Sequence, residues 1–453
     1  AYVQIGHGGG GSNSDINNSG IVVTAGDGID VIGGSTQEAY AMIGHGGDDA
    51  DTQGNQFEGN VEVTATSGDI VLQANSGALS GATGSNRTFA KIGHGGYNVN
   101  TLNGDMTGNV TVTAEAGSVI ATAGVDGNNN FVQIGHGGGS NSATNGHSGT
   151  ISVTAADDIT FTAGAHNGGA DGDARRFAMI GHGGADTNGN HNGAITVSAG
   201  TDGTGAITFL AGDVSPSGDA AFAQIGHGGE SADTIDSDLD TVPDGLLSGA
   251  IQVSAADSIT FTGGTASETY AQLGHGGTRV EGRQDGQIDV TSTNGDIVFT
   301  SGDSDGSYAH LGHGGRFAYG TSRTGAINVT ATSGNVTVSA SDLNNQTYAQ
   351  IGHGGRMERG DTNYLGGDYA GAISVSAGQA VTIDGGGGTS YAQLGHGGYQ
   401  AIAVNGHSGA INVDAGTDLS IAGGVVVAPA NANGYALLGH GGTDADGDHG
   451  GQI

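Results

Sequence analysis

The sequence predicts an all-β fold, a parallel β-solenoid of about eleven three-strand coils joined by long variable loops. Three observations carry this. The tetrapeptide GHGG recurs eleven times, at gaps of 38 to 49 residues. The same three short runs, alternating apolar and polar residues with period two, fill each interval. Glycine supplies 95 of the 453 residues, and no segment shows a helical period. A period near 43 residues that varies by several means a fixed unit with loops of variable length. Such a unit cannot bury its apolar face alone, but stacked copies can.

The unit around His396 shows the elements in order. The first run, 372–377, reads AISVSA; the second, 381–385, reads VTIDG; the third, 391–396, reads YAQLGH. The first two are joined by about three residues. Variable loops precede the third run and follow GHGG. Valine, isoleucine and threonine suit a pleated, half-buried strand, and the bounding glycines and asparagines suit turns. Residues 1–453 read as one continuous solenoid. The chain opens inside a third run and stops at the start of a first run, so the expectation is an excerpt of a longer repetitive protein without visible caps. Its partners would be copies of itself or further repeats, end to end.

Variation between repeats predicts where side chains point. The position before Ile or Leu in the third run holds Met42, Lys91, Gln133, Met179, Gln224, His310 or Leu437. A site that accepts lysine, glutamine and leucine reads as solvent-facing. Its neighbours Ala41, Ile43, Ala90, Ile92, Ala178 and Ile180 would then face inward. Tyr40, Phe89, Phe177, Tyr270, Tyr308, Tyr348, Tyr391 and Tyr435 would form an outer aromatic stack beneath the loops.

The eleven histidines, His7, His45, His94, His136, His182, His227, His275, His313, His353, His396 and His440, would form a ladder along one inner corner. Glycines beside them supply the positive φ and close backbone approach that a corner needs. Histidine is also a common ligand for zinc, copper and nickel. A closed zinc site, however, needs four ligands around one ion, and no second ligand repeats at a fixed offset from GHGG. A hydrogen-bonded structural corner is therefore the expectation, with a metal-binding histidine ladder as the alternative. Six histidines lie off the ladder: His147, His166, His191, His407 and His449, with His310 in the third run. His147 and His407 share NGHSG before a first run, which reads as turn chemistry.

Composition narrows the function. There are 45 acidic and 10 basic residues, a net charge of −35, no cysteine and no tryptophan. Nucleic acid is excluded as a partner, because phosphate neutralisation needs a basic patch. No run is long and apolar enough for a transmembrane helix. Absence of cysteine excludes a disulfide scaffold. Asp236, Asp238, Asp240 and Asp244 form a D-x-D-x-D-x-x-x-D loop that offers calcium several hard oxygens, and Asp444, Asp446 and Asp448 make a shorter version. Calcium is thus a possible cofactor. No serine and histidine stand apart from the repeat as a nucleophilic pair.

The paired runs at 371–386 (GAISVSAGQAVTIDGG), 409–424 (GAINVDAGTDLSIAGG) and 108–124 (GNVTVTAEAGSVIATAG) resemble repeats of filamentous-haemagglutinin-like adhesins. The resemblance covers two of the three runs in every unit. It implies a secreted bacterial β-helix, hence a non-catalytic structural or adhesive rod outside the cell or on its surface, with glycan or another cell surface as a possible partner. The rival is a β-helical enzyme acting on acidic polysaccharide. Its basic strip would come from Arg175 and Arg176, Arg279 and Arg283, Arg316 and Arg323, and Arg356 and Arg359. Pairing of these arginines with acidic loops is the plainer expectation.

Overall fold

The structure, a computed structural model, describes residues 2–11, 19–50, 56–74, 87–101, 105–125, 129–143, 146–165, 175–213, 221–232, 245–318, 320, 322–343, 346–356, 367–403, 405–424 and 434–453. The chain winds in parallel coils, one per repeat. Ile373 of one first run pairs in register with Ile327 of the coil before and Ile411 of the coil after. First-run strands such as Ile373–Ala377 stack into a ten-stranded sheet, and second-run strands such as Val381–Asp384 into another ten-stranded sheet. Third-run strands such as Tyr391–Leu394 make a sheet of eleven. Alternation works as expected in the first two: Val110, Val112 and Ala114 are buried, whereas Thr111 and Thr113 reach the surface.

Each coil carries more strand than the three runs. A Gly-Gly-x strand follows the histidine, as in Gly137–Gly139, and belongs to an eight-stranded sheet. An entry strand precedes the first run, as in Gly146–Ser148, and belongs to a ten-stranded sheet. Both are two or three residues long, too short to show a period. The coil is therefore five-stranded where the sequence predicts three strands and loops.

The extra strands overturn one orientation. The main core lies between the first-run, second-run and third-run sheets and holds the alanine and isoleucine of each third run. A second core lies on the other face of the third-run sheet. It contains the aromatic stack from Tyr40 to Tyr391, which Tyr435 and the exposed Tyr2 extend at its two ends, with successive rings 4.6–5.1 Å apart and within 9° of parallel. The third-run sheet is thus a wall between two cores, and all four residues of Tyr270–Leu273 are buried. Lys91, Gln133, Gln224 and His310, expected at the surface, are fully buried.

Their variety has a different cause from solvent exposure. Gln133 Nε2 donates to the Gly181 carbonyl at 3.0 Å, and Gln350 Nε2 to that of Gly395 at 3.1 Å. Lys91 Nζ donates to the Gly135 carbonyl at 2.5 Å, and His310 Nε2 to that of Gly352 at 2.7 Å. Each of these carbonyls belongs to the first glycine of GHGG in the next coil. Glutamine, lysine and histidine share one trait here, an N–H at the end of a side chain. Lys91 has no charged partner at its amine, and burial holds its pKa well below the usual lysine range.

Candidate functional site: the histidine corner

The corner is built on glycine for two separable reasons. Gly226, the first glycine of its GHGG, has φ of 147°. A Cβ on it would lie 1.9 Å from the Gly274 carbonyl oxygen of the next coil. The backbone thus turns where L-residues are disfavoured, and adjacent coils touch where a side chain would stand. The chain folds back here, which brings the Gly-Gly-x strand over the second core.

Between these glycines the imidazoles stack face to face. His94, His136, His182, His227, His275, His313, His353 and His396 follow one another with centroids 4.7–4.8 Å apart, tilted by no more than 7°. Stacking at the strand spacing follows from a fixed rotamer repeated in register. The ring nitrogens are held by backbone. The His182 N–H donates to Nδ1 of His227 at 3.0 Å, and Nε2 of His227 lies 2.8 Å from the Gly193 carbonyl. The same pair of bonds recurs from His45 to His396.

This arrangement fixes the tautomer. A backbone N–H can only donate, so Nδ1 must carry its lone pair. A carbonyl can only accept, so Nε2 must carry the proton. The imidazole is neutral and has nothing left to offer. Burial, reinforced by neighbouring imidazoles, pushes His94 down to about 3, and burial against backbone bonding leaves His182 and His275 at about 4. His396 is held at about 3 by burial.

The corner therefore ties three segments together. From His94 to His440 each ring links its own coil to the N–H of the coil before and to the glycine that enters the first run; His45 meets the Ser19 carbonyl instead. These entry glycines also sit at positive φ, as at Gly193, 146°. A metal ion would have to displace a backbone N–H from every Nδ1 it used. Among the described residues, no group of three or more His, Cys, Asp or Glu side chains is placed to hold an ion.

The remaining candidates fall elsewhere. Asp236, Asp238, Asp240 and Asp244 lie outside the described residues. Asp446 and Asp448 act through backbone: Asp446 bridges Ile402, and the Asp448 carbonyl accepts from the His407 N–H at 2.7 Å. The arginines meet acids or rings of this same chain. Arg279 reaches Glu230 and Glu268 at 3.2 and 2.7 Å, and Arg316 reaches Glu268 at 2.6 Å. Arg87 bridges Asp48 and Asp49, Arg175 meets Asp186, and Arg283 meets Asp285. Arg323 is buried over the Tyr369 ring, and Arg356 lies over Tyr399. Arg176 is buried, and Arg359 lies outside the described residues. Among these arginines, Arg283 is exposed and Arg279 partly exposed while bonded to acids, and Arg316, Arg323 and Arg356 are buried.

A second histidine rank escaped the sequence. His147 and His191 occupy one register position in consecutive entry strands, with Nδ1 atoms 2.9 Å apart. His407 and His449 repeat this at 3.1 Å. The shared NGHSG was the available signal, but it marks only two of the four. His166 lies outside the described residues. No family model, no curated protein and no solved structure matches this chain.

Proposed function

We propose that this chain is a structural or adhesive rod working outside the cell or on its surface, of the kind that filamentous-haemagglutinin-like adhesins form. The observation that supports it most is the use of the repeated polar groups. The ladder histidines bond to backbone on both nitrogens, and the arginines pair with acids and rings of the same chain. The most repeated chemistry in the molecule is directed at joining coil to coil. Parallel backbone ladders run through five sheets, and each buried Ile, Val or Leu contributes about 1.5–3 kcal/mol of burial energy.

Composition fits exposure outside the cell. A chain with 10 basic residues offers few tryptic sites, and absence of cysteine frees it from redox control. A net charge of −35 keeps long rods apart at low salt, and millimolar calcium would screen or bridge them. Its partners would be further repeats or copies end to end, or a glycan-bearing surface. Electron microscopy of the native source, with antibody against this chain, tests the reading. Labelled filaments at the cell surface are the expected result. Label confined to the cell interior, on discrete particles, would contradict it.

A further inference from the structure

One face of the solenoid carries a regular chemistry that the rod reading leaves unused. Second-run strands point two side chains per coil outward. From the strand Ile159–Thr162 to the strand Val381–Asp384, one outward file reads Thr160, Thr208, Thr260, Val298, Thr337 and Thr382. The second reads Thr162, Leu210, Thr262, Thr300, Ser339 and Asp384. All twelve are partly exposed. Nine carry a hydroxyl and only one carries a charge, in a chain whose net charge is −35.

The face is also rigid where it is richest in threonine. Directly beneath it Phe161, Phe209, Phe261 and Phe299 stack at 5.0 Å, each within 9° of its neighbour. This stack spans four of the six coils. It holds successive coils at one spacing with little rotation, the flatness that side-chain ladders can impose on a parallel sheet. The hydroxyls therefore stand on a grid: about 4.8 Å between coils and about 6.6 Å along a strand. The adjoining first-run sheet continues the pattern, with Thr113, Thr154, Ser198, Ser254, Thr291 and Thr330 in one file.

We propose that this face binds an ordered water lattice, the surface of ice. The choice of partner follows from what the grid contains. Each threonine offers a hydroxyl that donates and accepts, beside a methyl that orders water without bonding it. Ice repeats its oxygens on a spacing close to that between strands, so bound waters can continue the lattice. A crystalline polysaccharide would be met by exposed aromatic rings that stack on sugars, and neither outward file has one. A mineral or cation surface would be met by carboxylates, and the files carry only Asp384.

Partition of the purified chain into slowly grown ice, against inert proteins of similar size and charge, tests this. Enrichment in ice and faceting of ice crystals are expected. The double variant Thr208→Tyr, Thr260→Tyr keeps strand-favouring residues and should retain the wild-type circular dichroism. Its ice partition should fall about tenfold or more, close to 1.4 kcal/mol of binding. Ser333→Tyr, in an exposed turn off the grid, should partition like wild type. Exclusion of the wild-type chain from ice overturns the proposal, as does unchanged partition of the folded double variant. Retention on microcrystalline cellulose or chitin without adsorption to ice also overturns it.

Discussion

The two histidine ranks use one side chain at one spacing and behave differently. Along the corner, His136 and His182 stack at 4.8 Å and 7°. In the entry strands, His147 and His191 lie 4.7 Å apart but tilt by 45°, and His407 and His449 tilt by 44°. The cause is what the backbone offers. At the corner each Nδ1 meets an N–H and each Nε2 a carbonyl. In the entry strands two Nδ1 atoms meet each other, which requires one to be protonated and the other not. Nε2 of His147 is buried without a partner there. Equal spacing does not decide whether the rings stack; the hydrogen-bonding groups that the surrounding backbone offers do.

The sharpest way to break this contrast is to remove the corner's geometry. Gly226→Ala places a Cβ 1.9 Å from the Gly274 carbonyl at a φ of 147°. A loss of several kcal/mol is expected, beyond the usual ~1–3 kcal/mol of overpacking because the clash is with backbone. Urea unfolding and limited proteolysis near the corner read it. Removing the ring instead, in His227→Ala, orphans the His182 N–H and the Gly193 carbonyl and leaves a cavity. A loss of about 3–5 kcal/mol is expected, in the same assay.

The entry rank should answer differently. His191 pairs in register with Leu247 of the next coil, so leucine already fits this position. The double replacement His147→Leu, His191→Leu removes both members of the pair and the buried orphan nitrogen. It should change stability by less than about 1 kcal/mol, or raise it. A loss as large as that of His227→Ala would erase the distinction between the ranks.

Acid sharpens the contrast from another side. The buried corner histidines have folded pKa values depressed below the ordinary 6.5, to about 3 at His94 and about 4 at His182 and His275. The unfolded chain therefore binds protons first. Their contribution is fully present above pH 6.5 and is lost as pH falls from there toward about 4 and then 3. Relief of negative charge on the loops works in the opposite sense. Wild type minus His227→Phe, measured by urea midpoint at pH 8, 6 and 4.5, isolates the histidine part. The difference should shrink as pH falls.

The smallest effect concerns Lys91, whose amine burial holds well below the usual lysine range. Its register partner one coil on is Gln133. Lys91→Gln should retain the donor to Gly135 and stabilise by about 1–2 kcal/mol, because a neutral amide costs less to bury than an ionisable amine. A loss of stability would show that the amine does more than donate.

These cases also mark how far the sequence could be read. One coil per repeat, the three runs and the inward Ile and Ala of Ile43 or Ala90 follow from period and alternation. The outward aromatic stack was legible too, as a periodic Tyr or Phe. Lys91 and Gln133 were misplaced because alternation gives two faces of a strand but does not say which face meets water. That depends on the Gly-Gly-x strand folding over it, and three glycine-rich residues carry no pattern. The tautomer was out of reach for the same kind of reason. It rests on an N–H and a carbonyl, which every residue has.

Nitrogen-15 NMR of histidine-labelled protein, recorded from pH 8 to pH 5, reports the tautomer and charge of each corner ring directly. The buried corner histidines from His94 to His396 should appear as neutral rings protonated at Nε2, unchanged across the range, distinct from any that titrate. Corner rings protonated at Nδ1, or titrating near pH 6.5, would contradict the backbone-bonded corner.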